Sequence, residues 1–197
     1  MASIDDKELT VRIYGDPVLK RKSQPVERFD AALAGLASAM SEAMYKASGV
    51  GLAAPQVGVS KRLVVMDVDW PASARNGRKQ AEKPKKHLRI MVNPQIVWES
   101  EDDSSFEEGC LSLPEITGEV FRPARVKVRY QDLEGQEREE EMDGLLARCA
   151  QHEIDHLDGV LFVDRLPFAR RALLAAALGR LKKKSLAMRS AGEEPAQ

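Results

Sequence analysis

CAQHEIDHLDG, Cys149–Gly159, sets two of the chain's three histidines four residues apart, with a glutamate directly after the first. In an α-helix, positions four apart lie one above the other on the same face. His152 and His156 can therefore offer both imidazoles to one ion while Glu153 stands beside them. In this H-E-x-x-H arrangement two neutral imidazoles bind a metal and the glutamate handles a proton of water. Two histidines do not hold a catalytic metal by themselves, so the fold must bring a further ligand to this helix.

Downstream candidates fail. The longer H-E-x-x-H-x-x-G-x-x-H pattern finds its glycine at Gly159 but has Phe162 where the third histidine belongs. Between Glu153 and the tail pair Glu193 and Glu194 the only carboxylates are Asp155, Asp158 and Asp164. His87 sits in a polar, lysine-rich stretch. Cys149 lies on the helix itself, but its seven-residue separation from His156 means about 10 Å of rise, so it reads as a small apolar wall residue. Cys110 lies in EGCLSLP, Glu108–Pro114, a Gly-Cys corner that a strand can carry beside the helix. It is either the thiolate of an open Cys-His-His site or a buried free thiol, which is common for this residue type.

A third stretch, SGVGLAAPQVGVS (Ser48–Ser60), follows a helical pattern and is punctuated by three glycines and a proline. Its backbone can come close to a ligand, and Gln56 supplies a neutral amide donor. It has neither the Gly-x-Gly-x-x-Gly register of a dinucleotide site nor the lysine of a phosphate loop.

Taken in this order and spacing, GVGLAAPQVG (Gly49–Gly58), EGCLSLP and QHEIDHLDG (Gln151–Gly159) resemble the peptide deformylase family. Flanking text is similar too, from YGDPVLK to GVLFVDRL, so the likeness spans roughly Val11 to Leu166. The resemblance implies a hydrolase that removes the formyl group from the N-terminal formylmethionine of new proteins and releases formate. Cys110, His152 and His156 would hold one divalent metal, with Fe2+ expected natively and Zn2+, Ni2+ or Co2+ able to take its place. Metal-bound water would attack the formyl carbon with Glu153 as general acid and base. The Gln56 side chain and the Leu111 N–H would donate to the carbonyl oxygen, and Val50, Gly51, Phe106, Gly109, Arg148 and Cys149 would line the methionine pocket or bond the peptide backbone. The sequence departs from the family at Arg148 and Thr117, where other members carry an apolar residue and an arginine.

The remaining chain is consistent with this reading. Across 197 residues there is no composition break, so residues 1–190 are expected as one catalytic domain, with 191–197 a disordered tail. A hydrophobic content of 43% and a net charge of −1 fit a globular protein with no bulk attraction to DNA. MASIDDKELTVRIYGDP has no basic-then-apolar signal, no run is long enough to span a bilayer, and two cysteines make no disulfide framework. A cytoplasmic monomer is expected.

The patterning reads as α+β: mainly antiparallel sheets around a central H-E-x-x-H helix, with a C-terminal helix. Asp30 can cap a helix through ALAGLASAMSEAMYKA, with Leu33, Leu36, Met40 and Met44 at helical spacing. RLVVMDV, RIMVNPQIVW and RVKVRY read as strands. Residues 70–87 read as an exposed insertion loop, and the metal helix starts near Asp143. From Arg165 to Gly192 there is no acidic residue. Leu173, Leu174, Leu178 and Leu181 form an apolar stripe among arginines and lysines, which predicts one amphipathic helix over about 165–190. Its basic end suits either the negative pole of the helix dipole or a transient contact with ribosomal RNA. Two other functions fit the motifs, an H-E-x-x-H metallopeptidase and an inactive binding protein on the same fold. The lack of a downstream ligand weighs against the first. The joint presence of Cys110, Gln56, His152, Glu153 and His156 weighs against the second.

Overall fold

A computed structural model describes residues 9–70 and 87–191. Residues 71–86 of the expected insertion loop and 192–197 of the expected disordered tail lie outside the described residues. Asp30 begins α1 (Ala31–Lys46) by accepting the Leu33 N–H at 3.1 Å, and the helix buries Leu33, Leu36, Ala37, Met40 and Met44. Strands β1 (Gly51–Ala53), β2 (Leu63–Met66) and β3 (Arg89–Glu99) follow. A hairpin comes next, β4 (Asp103–Cys110) with β5 (Leu113–Pro123), and then β6 (Arg125–Gln131), β7 (Glu137–Asp143) and α2 (Gly144–Leu157).

Five strands form one sheet in the order β1-β2-β3-β6-β7, while β4 and β5 form a separate two-stranded ribbon; every pairing between strands is antiparallel. Apolar residues of β2, β3 and β6 meet α1 on one side through Leu63, Val65 and Val92, and α2 on the other through Val64, Met91, Val126 and Val128. Continuous burial along β2 follows from this two-sided packing. At the centre of β3, Asn93 takes φ 53° at an irregularity in the pairing with β6, and its side chain bonds both the N–H and the C=O of Val26. Pro94, which has no ladder donor, is tolerated at that break.

Helix α2 decides where chemistry can occur. Ala147, Ala150, Ile154 and Leu157 pack on the sheet, yet Arg148, Gln151, His152, Glu153, Asp155 and His156 are buried as well. Polar groups in such a position must be paired or put to use. Just past the Asp158 cap of the helix comes Gly159 (φ 73°), where a Cβ would lie 2.7 Å from the Lys20 carbonyl oxygen, so only glycine fits both the turn and the contact.

The C-terminal segment is two helices, α3 (Phe168–Leu173) and α4 (Ala175–Ser190), joined at Leu174. The expected single helix is interrupted because the break turns Leu178 onto the cluster of Leu19, Leu161 and Phe162, with Leu174 and Leu181 packed partly against it. Leu173 is left 78% exposed, so it does not extend the stripe read from the sequence.

Candidate metal centre

Cys110 ends β4, and the hairpin brings it over the middle of α2. Its Sγ lies 3.2 Å from His156 Nε2, and the donor atoms of Cys110, His152 and His156 all lie within 4.8 Å of one another. A tetrahedral N/S site sets such donors about 3.5 Å apart, so these three fit one ion after small shifts. Among the described residues this is the one group of three that could hold a metal. Cys149 lies elsewhere: its thiol points to the Val50 carbonyl at 3.5 Å, and burial pushes its pKa well up, so it stays neutral.

Behind the ligands stands a net of charged side chains. His152 Nδ1 lies 2.8 Å from Glu108 Oε2, which fixes the ring and leaves Nε2 for a metal. Glu108 also accepts two bonds from Arg122, at 2.6 and 2.9 Å, and one from Arg148 at 3.0 Å. Arg122 continues to Asp155 at 2.6 Å, and Asp155 in turn takes a fork from Arg165. Burial alone would raise the Glu108 pKa, but the bonds from Arg122 and His152 outweigh it and hold the carboxyl well below its usual range. Burial opposes a charge on His152 too, yet its partners Cys110 and Glu108 hold its pKa up. His156, buried and facing His152, is driven well down. Glu108, as part of EGCLSLP, and Arg148, expected at the pocket, had a signal in the sequence; Arg122 and Arg165 resemble ordinary surface arginines there.

Glu153 occupies a different setting on the same helix. It is 4% exposed, its Oε2 has no hydrogen-bond partner, and burial pushes its pKa up to about 7. A carboxyl group so placed can take and return a proton near neutral pH. Gly51 of β1 lies directly against it: a Cβ there would be 2.5 Å from Glu153 Oε1 and 2.7 Å from Cys149 Sγ.

These groups open onto a cavity of about 350 Å³ lined by Val50, Gly51, Gln56, Phe106, Gly109, Cys110, Leu111, Arg148, Cys149, His152 and Glu153. Every residue expected at the site except His156 is therefore on its wall, joined by Ser48, Gly49, Glu107, Glu108 and Leu145. Gln56 is held by the Ala53 N–H on its Oε1 at 2.8 Å and turns Nε2 toward Ser112 Oγ (3.3 Å) and Cys110 Sγ (3.5 Å). Leu111 follows Cys110 at the hairpin corner, where Leu113 pairs back onto Cys110. Thr117 is outside the cavity wall, with its hydroxyl on Glu107 at 2.7 Å.

Comparison with known proteins places this geometry among relatives. The polypeptide deformylase family profile matches residues 8–172. A peptide deformylase of Phenylobacterium zucineum is 49% identical over 161 residues, covering 82% of this chain and 89% of that protein. One from Rhizobium meliloti is 48% identical over 162 residues, covering 82% and 87%. Among solved structures, a plant peptide deformylase aligns with a TM-score of 0.82 at 35% identity, covering 98% of this chain and 97% of that one. The enzyme of Thermus thermophilus aligns at 0.75 and 43%, covering 89% and 98%.

Proposed function

The chain belongs to the peptide deformylase family and is a metal-dependent hydrolase of formyl groups, and on that premise we propose how its residues divide the work. Its substrates are N-formylmethionyl peptides. Cys110, His152 and His156 hold the metal, and Glu153 moves the protons. The observation that carries this reading is the buried, unpaired Glu153 carboxylate one position after a ligand of the Cys-His-His cluster.

When bound, the metal supplies a Lewis acid that polarises the formyl oxygen and lowers the pKa of water toward about 7. Glu153 accepts the proton that water gives up as its oxygen bonds to the formyl carbon. It returns that proton to the nitrogen as the C–N bond breaks, leaving formate and a free methionine amine. Such transfer contributes about 10²–10⁴ in rate. Gln56 Nε2 and the Leu111 N–H donate to the formyl oxygen as its charge grows, and because the Ala53 contact fixes the Gln56 amide, no reorganisation is needed at that moment. Val50, Gly51, Phe106, Gly109, Cys149 and the aliphatic stem of Arg148 bound the space for the methionine side chain. Ferrous iron is the native metal; zinc, nickel and cobalt suit the same mixed N/S donors. An iron-loaded sample then loses activity faster in air than under argon, and equal half-lives would refute the iron assignment.

The test of the reaction is a comparison of N-formyl-Met-Ala-Ser, N-acetyl-Met-Ala-Ser and Met-Ala-Ser as substrates. Formate release from the first with no cleavage of the other two supports the assignment. Cleavage of the unformylated peptide would show a peptidase instead.

We also infer that the enzyme works in the cytoplasm beside the ribosome. Exposed Arg180, Lys183, Lys184 and Arg189 of α4, on a segment without acidic residues, support a contact with ribosomal RNA. Replacing Arg180, Lys183 and Lys184 by glutamate is expected to abolish salt-sensitive co-sedimentation with ribosomes. Unchanged co-sedimentation would refute that contact.

A further inference from the structure

Arg148 is heavily committed for a side chain on the cavity wall. It leaves α2 one turn before His152 and is 6% exposed. One Nη donates to Glu108 Oε1 at 3.0 Å and to the Val120 carbonyl at 3.2 Å. The other donates to the Ser104 carbonyl at 2.6 Å and to Ser104 Oγ at 2.7 Å. A guanidinium has five N–H donors, and both terminal nitrogens are thus used inside the protein.

The partners are informative. Ser104 is the second residue of β4, the strand that ends at Cys110; Val120 lies on β5, the other strand of the ribbon; and Glu108 is the acceptor for His152 Nδ1. The guanidinium therefore ties the helix that carries the two histidines to both strands of the ribbon that carries the thiolate. It also shares Glu108 Oε1 with Arg122 Nε, which leaves Oε2 turned to His152. A carboxylate gripped on one oxygen by two cations has little freedom to swing away from the imidazole it orients.

We propose that Arg148 is a positioning residue of the metal centre, acting through Glu108 and the β4–β5 ribbon, and that its guanidinium does not bind the peptide substrate. Arg148 stands on the cavity wall while its charged head, committed to Glu108, Val120 and Ser104, holds Cys110 and His152 in register. This rests on the metal-site reading above, and it assigns the charge of Arg148 to metal retention where an apolar residue could supply pocket shape alone.

The test uses the full chain loaded with Co2+, comparing the native protein with Arg148→Met, Arg148→Lys and Ser104→Ala. Two properties are read: the rate of metal loss to an excess of chelator, and the thiolate-to-cobalt absorption band that reports Cys110 as a ligand. Outer partners of metal ligands typically contribute 10–100-fold to affinity. Arg148→Met is expected to lose metal about 10-fold faster or more and to shift the band. Arg148→Lys, with a compact ammonium in place of the fork, recovers only part of the retention. Ser104→Ala, a change at an exposed residue that removes one of the four acceptors, gives a smaller loss in the same direction and keeps the test valid should Arg148→Met fail to fold. Retention and spectrum equal to native in the folded variants would overturn the proposal, whether KM rises, as for a peptide contact, or only thermal stability falls. Native metal binding itself reads the underlying site, so the two ideas fail separately.

Discussion

Replacing Gly51 by alanine puts a methyl group where the structure has no room, and the nearest obstacle is the proposed proton carrier. The added Cβ would lie 2.5 Å from Glu153 Oε1, 2.9 Å from its Cδ and 2.7 Å from Cys149 Sγ. Ordinary contact begins near 3.4 Å, so the carboxylate must retreat by about 1 Å. The Gly51 backbone is not in the left-handed region, so alanine brings no conformational penalty of its own and the effect is one of contact. A displacement of about 1 Å at a reacting group costs on the order of 10²-fold, or about 2.7 kcal/mol in the barrier. Overpacking adds about 1–3 kcal/mol of lost stability. The assay is steady-state formate release, with bound metal counted and folding checked by circular dichroism. The expected result is kcat lowered about 100-fold, with metal content unchanged because the atoms nearest the added methyl belong to Glu153 and Cys149 and not to the three ligands. A Gly51→Ala protein with native kcat would refute the claim that Glu153 must stand where the structure has it.

Arg122 neutralises Glu108 and Asp155 at 1% side-chain exposure. Arg122→Met is therefore expected to cost about 3 kcal/mol, read as a lower denaturant midpoint, because it withdraws the cation that Glu108 and Asp155 share and leaves them only Arg148 and Arg165; an unchanged midpoint would contradict this. Removing the metal with a chelator is expected to lower the thermal midpoint, and restoring it in excess should raise the midpoint with concentration, since the ion binds only the folded arrangement. A midpoint indifferent to metal would contradict a preformed site. Asp30→Ala removes the cap of α1 and is expected to cost about 1 kcal/mol with kcat unaltered, measured by denaturation and formate release on the same sample.

What could be read from the sequence was what local periodicity encodes. The i, i+4 histidines and the glutamate between them fix their own geometry once a helix forms, and Asp30 with its train of Leu and Met marks α1 by the same logic. Three strands were legible because they are rich in Val and Ile. β7 was not: EREEEMD is charged on nearly every position and becomes a strand because β6 lies beside it, with Arg129 on Glu139 at 2.7 Å and Lys127 opposite Glu141. The net that joins the buried Glu108, Arg122, Arg148 and Asp155 to the exposed Arg165 could not be read as a net, although Arg148 was expected at the pocket, for a related reason. Its bonds join residues 10 to 40 positions apart, and no single stretch carries a pattern for them. The break at Leu174 was hidden because leucines three and four apart suit one continuous helix as well as two; the position of the Phe162 cluster decides between them.

The central claim is that Glu153 moves the protons of a reaction whose metal is held by Cys110, His152 and His156. It is tested most directly by formate release from N-formyl-Met-Ala-Ser, using protein purified without oxygen beside its Glu153→Ala variant, with bound metal counted in both. The account predicts formate from the native protein and a rate lower by at least about 10²-fold from a variant that still carries its metal. A metal-loaded variant that releases formate at the native rate would contradict it.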